Sequence, residues 1–71
     1  MIKIQEGTFD IWSGTPQKTG QWLETVVGLG DARKRMMKIA TVRPGPYFIF
    51  SAWVGYILDQ IDTRRLSSIR R

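Results

Sequence analysis

One stretch decides what the rest of this chain must do. Leu29-Gly-Asp-Ala-Arg-Lys-Arg-Met-Met-Lys-Ile-Ala-Thr-Val42 is the only segment that reads clearly as a helix. Its apolar residues Leu29, Ala32, Met36, Ile39 and Ala40 recur at helical spacing. At about 100° per residue they share one face roughly 100° wide. Asp31, Lys34, Arg35, Lys38 and Thr41 fall on the opposite side, with Arg33 and Met37 at the flank. Gly28 or Gly30 suits the N-cap, and Asp31 in the first turn suits the positive end of the helix dipole. Arg43-Pro44-Gly45-Pro46 ends the helix, because proline cannot continue it and pushes the preceding residue toward extended geometry. A helix of this length is marginal alone. Its apolar face needs a cover, and the remaining sequence offers only strands.

Those strands follow in order. Gly7-Thr-Phe-Asp-Ile-Trp-Ser13 alternates, Phe9 and Ile11 against Asp10 and Trp12. Residues 14–20 form a loop of Gly, Pro and Thr, short enough for an antiparallel connection. Gln21-Trp-Leu-Glu-Thr-Val-Val27 is rich in β-branched and aromatic residues, Trp22, Glu24 and Val26 alternating with Leu23, Thr25 and Val27. After the helix, Tyr47-Phe-Ile-Phe-Ser51 is aromatic on both faces, as a central strand would be. Ser51 to Gly55 reads as a turn with Gly55 supplying positive φ. Tyr56 to Ile61 is a fourth strand, with Ile57 and Ile61 set against Tyr56, Leu58 and Gln60. Residues 52–61 also fit helical spacing through Trp53, Tyr56, Ile57 and Gln60, so pattern alone leaves strand or helix open there, with the strand preferred. The expectation is an α+β fold: a single ββαββ domain over residues 1–62, a mainly antiparallel sheet with one helix over about residues 29–42 on one face, and a frayed basic tail over residues 63–71.

A resemblance enters at this point. Trp22-Leu-Glu-x-Val26, Gly28-Leu29, Ala32, Arg35-Met36, Ile39-Ala40, Pro44-Gly45, Tyr47-Phe-x-Phe50 and Ile61-Asp62-Thr63 together resemble the pattern of a group of short uncharacterised bacterial proteins with no assigned activity. The resemblance covers most of residues 8–63 and implies ββαββ, with no mechanism attached. Ala52-Trp53-Val54 departs from it, since a polar hairpin tip belongs there.

Composition removes many functions. The chain has 71 residues, no cysteine and no histidine. Disulfides, thiolate metal sites, imidazole catalysis and histidine-ligated metals are thereby excluded. Asp59 and Asp62 are three apart and point to opposite faces of a strand, and Asp10, Glu6 and Glu24 make no ligand pattern. Ser13-Gly-Thr15 and Gly28-Leu-Gly30 lack the Lys and Gly spacing of a phosphate loop. We therefore expect no enzyme, and no catalytic, cofactor or metal site, nor any small-molecule substrate. Tyr47 to Leu58 is the longest apolar run and is too short to cross a bilayer as a helix. The opening residues do not read as a signal peptide, so the expected location is cytoplasmic.

Two constellations remain. One helix covers one face of a four-stranded sheet, and the other face needs an occupant. Trp12, Trp22, Phe48 and Phe50 are candidates for that face, and Trp53 and Val54 for an exposed turn. A bare apolar face usually marks an interface, most simply between two copies related by a two-fold axis. The plainer reading folds the tail or Ile2 and Ile4 across it. The second constellation is basic. The net charge of +5 resolves into a local +4 over Leu29–Arg43, +4 over Thr63–Arg71 and −3 elsewhere. Lys34, Arg35, Lys38, Arg43, Arg64, Arg65, Arg70 and Arg71 could neutralise nucleic-acid phosphates. The plainer reading is a solvated helix face and an Arg-rich end. The expected function is a small non-catalytic interaction module that forms a homodimer through the uncovered sheet face, with nucleic-acid binding as the alternative.

Overall fold

The helix forms where its spacing places it. A computed structural model describes residues 7–18 and 20–64. Its elements are β1 (Thr8–Ser13), β2 (Gln21–Val27), α1 (Leu29–Val42), β3 (Pro46–Ser51) and β4 (Tyr56–Asp62). The order is ββαββ, and residues 56–62 are strand. All strand pairings are antiparallel, in the spatial order β2-β1-β3-β4. β1 and β3 are thus central, as the two-sided aromatic content of β3 requires.

α1 buries Ala32, Met36 and Ala40 against Phe9, Ile11, Tyr47 and Ile49, with Leu29, Ile39, Leu23, Val26, Leu58 and Ile61 packed around them. Gly28 caps its start at φ 92°, a conformation costly for any residue with a Cβ. Its end is closed by three hydrogen bonds in and just past the last turn, where helix carbonyls lack partners of their own. Arg43 N–H donates to Ile39 O at 2.9 Å, Thr63 Oγ1 donates to Ala40 O at 3.0 Å, and Tyr47 Oη donates to Arg43 O at 2.7 Å. Thr63 also accepts from Gly45 N–H at 3.1 Å, so the chain leaving β4 is tied to the helix end. Residues 65–71 of the expected tail lie outside the described residues.

Strict alternation fails in both outer strands. In β2 the register moves between Ile11 and Trp12, so Ile11 pairs with Glu24 while Trp12 pairs with Trp22. Leu23 is the extra residue of a bulge. Glu24 therefore lies under the helix and Trp22 on the far face, although they are two apart. In β4 the shift between Ile49 and Phe50 pairs these with Asp59 and Ile57. Leu58 is the extra residue and turns into the core, while Ile57 and Ile61, expected together, take opposite faces.

Candidate functional site

Two surfaces carry the residues singled out above. The first is the sheet face away from α1. Pairing places Asp10, Trp12, Trp22, Thr25, Phe48, Phe50, Ile57 and Gln60 there. Trp12 and Phe48 stack with ring centroids 5.9 Å apart and planes 8° from parallel. The β1–β2 loop crosses over this pair. A Cβ on Gly20 would stand 3.1 Å from Phe48 Cζ and 3.3 Å from Trp12 Cε3, so a side chain there would press on both rings. Thr15, Pro16 and Gly20 border a shallow groove of about 230 Å³ floored by Trp12, Phe48 and Phe50. The loop thus supplies part of the cover; Ile2 and Ile4 lie outside the described residues.

The consequence is a division of labour among the aromatic candidates. Phe48 is only 6% exposed and serves as foundation. Trp12 and Phe50 are half-buried. Trp22 is 52% exposed at the β2 margin, and its indole N–H donates to Thr25 Oγ1 at 3.3 Å. Thr25 in turn donates to Asp10, which holds this polar margin in place. Trp53 and Val54 are chain neighbours beyond the end of β3 that carries Phe50. They sit in the β3–β4 turn at 41% and 37% exposure, where Gly55, at φ 85°, closes the turn by donating to Ser51 O at 2.7 Å.

The second surface is the outer side of α1. Lys34, Lys38 and Arg43 are exposed and make no ion pair among the described residues. Arg35 is different: its Nε bonds Glu24 Oε2 at 3.0 Å. Arg33 mirrors it on the other flank, bonding Asp59 Oδ2 at 2.9 Å. The two arginines reach down to opposite edge strands and fix the roll of the helix over the sheet. Each pair is substantially exposed and contributes at most about 1 kcal/mol. Arg64 makes a two-point contact with Asp62, Nε to Oδ1 at 3.1 Å and Nη2 to Oδ2 at 3.0 Å. This bond, and then the attraction between the charges, holds the Arg64 guanidinium above its ordinary pKa. Thr63 carries Arg64 to the helix end that bears Arg43. Arg65, Arg70 and Arg71 lie outside the described residues.

Sequence reasoning did not find the bulges, the loop cover, the Thr63 bonds or the two helix-to-edge ion pairs. Only Gly20 offered a local signal. Glu24 and Arg35 are eleven apart, and nothing local pairs them.

Comparison with protein families, curated proteins and solved structures gives no match. Among the described residues, no helix is long and apolar enough to cross a membrane.

Proposed function

We propose that this protein is a small non-catalytic interaction module that self-associates through the sheet face opposite α1. The observation carrying this reading is Trp22, 52% exposed beside the half-buried Trp12 and Phe50 on a face that no helix covers among the described residues. Exposed tryptophan over an aromatic floor is the composition of an interface anchor. The groove beside it is shallow and accommodates one or two side chains. Asp10, Thr25 and Gln60 give this face a polar rim with a carboxylate, which suits protein better than phosphate. Sedimentation velocity from about 1 to several hundred micromolar tests the reading. We expect a monomer–dimer transition that Phe50→Asp shifts to higher concentration. A strict monomer throughout that range would overturn it.

Lys34, Lys38 and Arg43, exposed and without ion pairs among the described residues, favour a second reading, nucleic-acid binding along the outer helix surface. Glu24 and Asp62 already occupy Arg35 and Arg64. Three described cations predict a salt slope of only about −3 on a duplex. Absence of binding at low salt would remove this reading.

A further inference from the structure

β2 and β4 are the two edges of the sheet. An edge strand presents a row of unpaired N–H and C=O groups, ready for another strand unless charge, proline or irregularity blunts it. The two edges differ in this respect. β4 carries two carboxylates, Asp59 and Asp62, held by Arg33 and Arg64, so charged side chains blunt this edge twice where β2 has a single ion pair. β2 reads Gln-Trp-Leu-Glu-Thr-Val-Val, without lysine, proline or glycine. Its one charge, Glu24, is already bonded to Arg35 on the helix side.

The ladder determines which backbone groups β2 offers. Gly28 N–H donates to Gly7 O at 2.7 Å. Antiparallel bonding alternates from that point, so Val26 and Glu24 turn their backbone groups toward β1, and Val27 and Thr25 turn theirs outward. The other side of β1 gives the same phase. Gly14 N–H donates to Pro46 O at 2.8 Å, which makes Asp10 a bonded partner of Phe50 and leaves Thr25, opposite Asp10, facing away. Beside these outward groups Val27 is 71% exposed. Among the described residues, β2 has a strand neighbour on one side only.

We propose that the β2 edge pairs antiparallel with the β2 edge of a second copy, centred on Val26. This contact is separate from the sheet-face contact and stands without it. Paired side chains must share a face, so the two-fold axis passes through a residue. Centring on Glu24 sets two carboxylates opposite each other. Centring on Thr25 calls on Leu23, which the bulge takes out of line. Centring on Val26 uses only the unbulged segment Glu24–Val27 and the cap residue Gly28 that follows it. Val26 then opposes Val26 of the second copy, Thr25 opposes its Val27, and Glu24 opposes its Gly28. Thr25 and Val27 of each chain exchange their outward bonds, about four in all. The result is one continuous sheet with both helices on the same side and Val27 covered.

The chain contains no cysteine, so a single introduced thiol reports its own neighbourhood. A non-hydrogen-bonded pair such as Val26 with Val26 brings Cα atoms to about 4.5 Å, within disulfide range. Val26→Cys is expected to cross-link under mild oxidation much faster than Val42→Cys, a control on the exposed outer end of the helix. Val27→Pro removes an outward N–H and leaves the bonds to β1 intact. It is expected to weaken self-association roughly tenfold or more with an unchanged circular dichroism spectrum. Should that variant unfold, Val27→Lys tests the same seam by charge. Phe50→Asp reports on the sheet face separately. Association sensitive to Phe50→Asp but indifferent to both Val27 variants overturns the edge proposal and leaves the face contact standing, and the reverse pattern does the opposite. Absence of association, or a Val26→Cys chain that cross-links no faster than the control, also overturns it.

Discussion

Ser51 is fully buried, and its hydroxyl finds no hydrogen-bond partner among the described residues. It ends β3 on the helix side, in line with Tyr47 and Ile49, at a position where the pattern of the strand calls for an apolar residue. A buried hydroxyl without a partner costs about 1–3 kcal/mol. Ser51→Ala is therefore expected to raise stability by about 1 kcal/mol in chemical denaturation. A loss of stability would mean that the hydroxyl has a partner. The indole N–H of Trp12 is also buried without a partner, but there stacking on Phe48 and cover from Gly20 hold the ring in place. At this scale the sequence was legible wherever one side chain had one role. Ala32, Met36 and Ala40 on the helix, and Phe9 and Ile11 on β1, are buried as their spacing implies. Trp12 and Phe48 are different. Their exposure depends on a loop whose path no local pattern encodes.

Helix boundaries and strand faces follow different rules. The ends of α1 could be read from Gly28 and from Arg43-Pro44, because capping and proline sterics act within a few residues. Strand faces were legible only as far as the first bulge. A bulge is a property of two strands, and nothing in Trp22-Leu-Glu or Ile57-Leu-Asp states that the partner will skip a residue. Thr63 is a further case. Its place in the sequence assigns it to a polar tail, whereas its side chain joins Ala40 and Gly45 across the end of the sheet. Thr63→Val keeps the shape and removes these bonds, leaving a partly buried carbonyl and amide unpaired. The expected loss is about 1–2 kcal/mol by thermal or urea denaturation, and Thr63→Ser should restore most of it. A loss in Thr63→Ser with none in Thr63→Val would show that the methyl group, and not the hydroxyl, carries the contact.

For the whole molecule, a chain of 71 residues buries a modest core, and association would add to its stability by mass action. If two copies pair, the melting temperature should rise with protein concentration. A tenfold increase is worth about 1.4 kcal/mol per dimer, or a few degrees for a domain of this size. A melting temperature independent of concentration would contradict self-association through either surface. The sequence alone determined the element order, the limits of the helix and the face by which it packs. Each of these rests on periodicity, caps and proline, which act over one or two turns. It also excluded cysteine and histidine chemistry by composition. Only the tertiary structure decided that β2 is an edge, that Trp22 stays exposed while Phe48 is covered, and that Glu24 and Asp62 engage two of the candidate cations. These outcomes depend on which strands become neighbours and on the exact register between them, and both are settled by contacts between residues far apart in the chain.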